Sequence, residues 1–103
     1  MYNFISIEYL VALALIVNNK EEISLAELNE YRVKITEVIE EHKINAVFLF
    51  SSKDAIDMVQ NYEDCFEWKA EEYTIRRKVS PDILISKFLD YLSTDVLMAV
   101  QDV

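Results

Sequence analysis

Residues 4–17 read FISIEYLVALALIV, and only Ser6 and Glu8 among them are clearly polar. A transmembrane helix needs about 20 apolar residues, and the uninterrupted apolar run at 9–17 is much shorter. A secretory signal needs a basic segment before its apolar core, whereas the first basic residue, Lys20, follows the run. We therefore expect a helix of a soluble, cytoplasmic domain that is apolar on most of its circumference.

Capping motifs indicate that further helices follow this apolar helix. Residues 24–27 read SLAE, a capping box in which serine and glutamate each accept from the other's backbone amide. The helix that it starts is expected to run to about His42. Residues 51–54 and 80–82 predict two more helix starts, and residues 93–95 predict a kink and a restart. Either these helices and a small sheet or a second copy of the chain must cover the apolar helix.

Three stretches predict strands. Residues 44–50 are short, apolar and rich in strand formers, whereas 65–69 and 73–79 alternate with a period of two, as a hairpin does. The loop at 70–72 lacks a turn residue, so a short helical turn there is the alternative. The expected fold is one compact α+β domain over 1–103, mostly helical. Four to five helices surround the central N-terminal helix, and the three strands form a small antiparallel sheet; the alternative is an all-α bundle.

The sequence contains no glycine. The phosphate-binding loops GxxxxGKS and GxGxxG and the nucleophile elbow GxSxG all require glycine, so all three are excluded. Asparagine is the expected substitute where the backbone must be left-handed. The candidates are Asn18, Asn19, Asn45 and Asn61.

His42 and Cys65 are the only histidine and the only cysteine. No intrachain disulfide is possible, which favours a reducing compartment. A zinc site usually takes four ligands from Cys and His, and this pair has no local ligand spacing. We expect His42 to close the second helix and Cys65 to be buried. No cofactor, metal site or catalytic residue is predicted, and the protein is not expected to be an enzyme.

The formal net charge is −9, from 19 acidic and 10 basic residues. Residues 1–50 hold 4 basic and 8 acidic residues, and residues 51–103 hold 6 and 11. The acidity is therefore spread along the chain. Direct nucleic-acid binding is not expected, because neutralisation of phosphates by basic side chains drives that binding.

One candidate partner surface lies on the predicted hairpin. Its aromatic side chains are of the type enriched at interaction hot spots, and next to them lies the only basic cluster of the chain. The competing hypothesis is that the aromatic residues are the buried face of the hairpin and that the cations protect an edge strand. The surface consists of Phe66, Trp68, Tyr73, Arg76, Arg77 and Lys78.

Three functional hypotheses follow. The first is a non-catalytic protein–protein interaction or regulatory domain, for which a homodimer is one form. The second is an acidic DNA mimic that inhibits a nucleic-acid-binding protein, with carboxylates of the second helix in a row. The third is a winged-helix-like regulator, because helices followed by a hairpin fit that outline. The chain is rich in Ile, Lys, Asn, Glu and Tyr, and in this composition it resembles small single-domain proteins of low-GC bacteria and their mobile elements. The resemblance implies no site residues.

Overall fold

The computed structural model describes residues 3–101 and confirms an α+β, mostly helical fold. This part of the chain contains five helices and five short strands. Two single 3₁₀ turns, Ala70–Glu72 and Leu89–Tyr91, join β4 to β5 and α4 to α5. The elements are β1 (Asn3–Ile5), α1 (Ile7–Val17), β2 (Glu22–Ser24), α2 (Leu25–Glu41), β3 (Ala46–Phe48), α3 (Ser52–Asn61), β4 (Phe66–Lys69), β5 (Thr74–Arg77), α4 (Pro81–Lys87) and α5 (Thr94–Val100).

Helix α1 is the centre of the core. Residues 10–15 are consecutive, so they cover the whole circumference of the helix, and none is more than 1% exposed. Helices α2, α3 and α4 and strand β2 pack against α1. The half-buried residues of α1 lie at its two ends, Glu8 and Tyr9 at the start and Ile16 and Val17 at the end. The chain therefore covers its own apolar helix, and a second copy is not needed for that purpose.

The first strand corrects the predicted start of α1. The sequence predicted helix from about residue 4, but α1 begins at Ile7, after Ser6 in an extended conformation. Residues 3–5 form β1, which pairs in parallel with β3 so that Phe4 lies beside Val47. The sequence did not reveal this strand because its residues are part of a longer apolar run. Within the strand, Ile5 is buried and its neighbour Phe4 is exposed.

The antiparallel sheet has three strands in the order β2–β5–β4. The predicted hairpin is present as β4 and β5, and its connection is the 3₁₀ turn that was the alternative for the loop. The strand predicted at 44–50 was expected in this antiparallel sheet. It is present only as β3, which pairs in parallel with β1 and is separate from the antiparallel sheet. Its place is taken by β2, whose Ile23 is 2% exposed and lies opposite Ile75.

The predicted helix caps are found at α2 and α3. Ser24 Oγ accepts a hydrogen bond from the Glu27 amide at 3.1 Å, and the Glu27 carboxylate accepts from the Ser24 amide at 3.2 Å. Ser51 Oγ accepts from the Asp54 amide at 3.0 Å at the start of α3. His42 is the C-terminal cap of α2. Local sequence chemistry therefore sets where these helices begin and where α2 ends.

Three residues have a left-handed backbone among the described residues. Asn19, with φ of 50°, is one of the four predicted asparagines and follows the end of α1. Lys43 and Tyr73, with φ of 56° and 48°, were not predicted. Each ends a helical segment in a chain that has no glycine for this role.

Substitution of a buried leucine should lower the free energy of unfolding more than substitution of an exposed leucine. Leu13 is 1% exposed, so Leu13→Ala should lower the free energy of unfolding by about 2–5 kcal/mol, through lost burial and a cavity. Leu49 is 43% exposed, and Leu49→Ala should cost about 0.5 kcal/mol or less. Urea denaturation measures both. Equal losses would contradict the central position of α1.

The Tyr31 hydroxyl gives a second test of the core. The residue is 5% exposed, and among residues 3–101 its hydroxyl has no hydrogen-bond partner. Burial raises its pKa to about 12. The unfolded chain releases this proton near pH 10, so the folded state holds the proton more tightly and stability falls as pH rises from about 10 towards 12.

Tyr31→Phe should therefore reduce the alkaline loss of stability. At neutral pH the variant should be no less stable than the parent, because an unsatisfied buried hydroxyl costs about 1–3 kcal/mol. The free energy of unfolding, measured between pH 7 and 12, checks both effects. Tyr73→Phe, at an exposed tyrosine, is the matched control and should leave the profile unchanged. A clear loss at pH 7 in Tyr31→Phe would show that the hydroxyl is hydrogen-bonded.

Candidate functional site

The structure separates the aromatic residues of the predicted partner surface. Phe66 is 2% exposed and stacks on Phe88, with ring centroids 5.8 Å apart, so it belongs to the core. Trp68 is half-buried, and its ring meets that of Tyr73 edge-on at 6.4 Å. Tyr73 is 67% exposed. The hairpin therefore presents one aromatic pair, Trp68 and Tyr73, and Phe66 is unavailable to a partner.

Two members of the basic cluster bind backbone carbonyls of the chain itself. Arg77 donates from Nη1 to the carbonyl of Val79 at 2.9 Å and from Nε to that of Lys20 at 3.3 Å. Lys78 Nζ donates to the carbonyl of Glu63 at 2.8 Å. These bonds join the end of β5 to the segments before β2 and β4. The two cations stabilise the sheet, which limits what they offer an anionic partner.

Arg76 lies in the middle of the sheet, not on an edge. β5 is the central strand, which corrects the expectation that the cluster protects an edge. Glu22 on β2 and Glu67 on β4 are the register partners of Arg76, and Arg76 Nη2 is 3.9 Å from the Glu21 carboxylate. Opposite charges on neighbouring strands stabilise such a sheet modestly.

His42 and Cys65 lie in separate environments. His42 is exposed, and its Nδ1 is 2.8 Å from the Val38 carbonyl oxygen of the last turn of α2. Cys65 is 1% exposed, and burial raises the pKa of its thiol, which disfavours the reactive thiolate. Within residues 3–101, no three His, Cys, Asp or Glu side chains are grouped as metal ligands.

A second exposed surface, which the sequence did not predict, surrounds β1. It consists of large apolar side chains from four different segments. Phe4 is 69% exposed, Val47 37%, Tyr91 76% and Met98 65%. We call these four residues the β1 face.

Two clefts and one pair of strands connect the members of the β1 face. Phe4 and Val47 are register partners in the parallel pair. Phe4 and Tyr91 line one cleft, of about 330 Å³, between β1 and the start of α5. Met98 lines a neighbouring cleft of about 680 Å³. Asn3 and Ser93 line both clefts, so the two clefts adjoin, and Val47 is linked to them through its pairing with Phe4.

The β1 face was missed because each of its members has an ordinary local explanation. Phe4 and Met98 were assigned to helices, and Val47 to a buried strand. The missing information was the pairing of β1 with β3, which turns Phe4 and Val47 to the same side. In residues 3–5 only Ile5 is buried, while Asn3 and Phe4 are both exposed, and a strand this short shows no period that the sequence alone reveals.

Apart from β1 and β3, the elements follow the order expected for a winged helix. They run α1, β2, α2, α3, β4 and β5, with the sheet order β2–β5–β4. In this arrangement α3 has the position of the recognition helix and the hairpin that of the wing. The exposed charges of α3 are Lys53, Asp54 and Asp57, and the hairpin turn carries exposed Glu71 and Glu72. Helix α3 and the hairpin turn are therefore net acidic, where the corresponding parts of a DNA-binding protein are basic.

No family model, no curated protein sequence and no solved structure matches this chain. Between residues 3 and 101, none of the helices has the length and apolar character needed to cross a membrane.

The environment of Cys65 predicts slow thiol chemistry. Because the side chain is buried and its pKa is raised, Cys65 should react with a thiol reagent only when the protein unfolds. Reaction with an aromatic disulfide reagent, with and without denaturant, measures this. Tyr73→Cys in a Cys65→Ala background is the control and should react at once, because Tyr73 is exposed. Rapid reaction of native Cys65 would contradict its burial.

Proposed function

We propose that the protein is a non-catalytic, cytoplasmic regulatory domain that acts by binding a protein, and that the β1 face is its principal binding surface. The observation that carries this proposal is the exposure of Phe4 and Tyr91, two aromatic side chains that line the same cleft. Aromatic side chains dominate the binding energy of protein interfaces. Large connected apolar surfaces on soluble domains are commonly interaction sites.

The unusual sheet beneath the β1 face supports the proposal. Parallel sheets are normally covered on both faces, and an isolated pair of strands is marginally stable in water. β1 and β3 form such a pair in the described chain. One face, with Ile5 and Phe48, packs into the core, while Phe4 and Val47 on the other face remain exposed. A partner that pairs with β1 and packs against Phe4 would remove part of this exposure.

Charge disfavours a nucleic-acid partner. The net charge is −9, and both α3 and the hairpin turn are net acidic. Phosphate binding requires the opposite sign. The arrangement of carboxylates also gives little support to DNA mimicry, since every helix and 3₁₀ turn carries at least one acid. A mimic would need these charges concentrated in rows on one side.

The Trp68 and Tyr73 pair is the second candidate surface for a protein partner. It retains two of the three aromatic residues that the sequence singled out, and Tyr73 is as exposed as Phe4. Its apolar area is smaller than that of the β1 face, because Trp68 is half-buried and Phe66 is in the core. We therefore rank it below the β1 face.

Variants that introduce a charge should show which of the two surfaces binds the partner. A tagged protein is recovered from the cells that produce it, and its bound partners are measured by the mass of the intact complex. Phe4→Asp and Tyr91→Asp should each weaken partner binding by at least about tenfold, because each buries a carboxylate in the interface. Tyr73→Asp is the matched control and should bind as the parent does. Urea unfolding confirms that the variants remain folded.

Three results would contradict the proposal. If the protein is recovered with no bound protein, not even a second copy of the chain, the proposed binding function is contradicted. Full binding by both Phe4→Asp and Tyr91→Asp would remove the β1 face as the surface. Loss of binding only in Tyr73→Asp would assign the interaction to the hairpin.

A further inference from the structure

We propose that the partner of the β1 face is a second copy of the chain, and that two β1 strands pair antiparallel across a twofold axis. The two parallel pairs then form one four-stranded sheet in the order β3–β1–β1–β3. This inference rests on the proposed function, and it names the partner and the pairing.

The backbone of β1 leaves one edge open to a second strand. The Asn3 amide donates to the Asn45 carbonyl at 2.9 Å, and the Ile5 carbonyl accepts from the Leu49 amide at 2.8 Å. Backbone groups of successive strand residues point in alternate directions. The Phe4 amide and carbonyl therefore point away from β3. They lie at an edge that no other strand of the described residues occupies.

The position of Phe4 suits pairing about a twofold axis. Phe4 is the central residue of a three-residue strand, and in antiparallel pairing it lies opposite the same residue of the second copy. Such a hydrogen-bonded pair exchanges both N–H···O bonds, with Cα atoms about 5.5 Å apart. The two phenyl rings then lie side by side on the face that also carries Val47.

A cleft lies beside β1. It has a volume of about 330 Å³ and is lined by all three β1 residues and by Tyr91, Leu92 and Val96. The outer edge of β3 is less suitable, because α2 packs against β3 and Phe48 is 2% exposed. The open edge of β1 is therefore the accessible one.

A comparison with the antiparallel sheet supports the use of this edge. Edge strands of monomeric proteins commonly carry charges that prevent pairing with another chain. The edge strands β2 and β4 follow this rule, with exposed Glu22 on one and exposed Glu67 on the other. β1 consists of Asn, Phe and Ile and carries no charge. Its edge lacks the protection that the other two edges have.

Local charge also favours a second copy. Two molecules of net charge −9 repel each other over most of their surfaces. The two clefts beside β1 are lined by one cation, Lys43, and one carboxylate, Asp95, together with the exposed His42. The surface around β1 is therefore close to neutral, so two copies can meet there without the repulsion that opposes contact elsewhere.

Site-directed crosslinking tests the pairing. In a Cys65→Ala background, Phe4→Cys should be joined to a second copy by a short bismaleimide, because the two Cα atoms are about 5.5 Å apart in the proposed sheet. Tyr73→Cys in the same background is the matched control. It replaces an equally exposed aromatic residue and should give little crosslinked dimer at the same protein concentration. Native mass measurement of the parent protein should show a dimer, and Phe4→Asp should weaken it at least about tenfold.

Each outcome decides the proposal. A dimeric parent with a crosslinked Phe4→Cys variant supports it. A parent that remains monomeric up to about 1 mM, or a dimer whose Phe4→Cys variant is not crosslinked, overturns it. A monomeric parent that binds a different protein through the β1 face would overturn the self-pairing and leave the proposed function standing. A monomeric parent that binds no other protein would contradict both the self-pairing and the proposed function.

Discussion

The structure depends on one constraint, which is that α1 has no polar side. Residues 10–15 cover the helix circumference and all are almost fully buried, so the other elements have to be arranged around them. The capping box places α2 directly after β2, and α3 and α4 contact other sides of α1. Full burial of a large aliphatic side chain contributes about 1.5–3 kcal/mol, and α1 has seven buried residues, more than any other helix of residues 3–101.

The same constraint bears on the exposure of Phe4 and Val47 in the parallel pair. The helices and β2 that cover α1 leave β1 and β3 as a separate pair at one side of the molecule. Ile5 and Phe48 anchor this pair in the core, while Phe4 and Val47 lie outside it. Stability therefore does not require a second molecule, and the exposed β1 face is available for an interaction. In the proposed dimer, folding and association use different residues of the same short strands.

The sequence predicts the parts of this fold that depend on local chemistry. The caps at Ser24 and Ser51, the proline at the start of α4 and the alternation of the hairpin were all found. The three-residue strands β1 and β2 were not predicted, because a period of two cannot be seen over so few residues. The left-handed Lys43 and Tyr73 follow from how the chain turns in three dimensions rather than from residue preference. The β1 face depends on β1, so it was missed for the same reason.

Hydrogen exchange at the backbone amide of Phe4, measured over a range of protein concentrations, tests the central claim most directly. The described chain offers this amide no strand partner, so it should exchange rapidly in dilute solution. Paired with a second β1, it should become protected as concentration rises, while the amides of β4 and β5 stay equally protected throughout. Rapid exchange at Phe4 at every concentration would contradict the account.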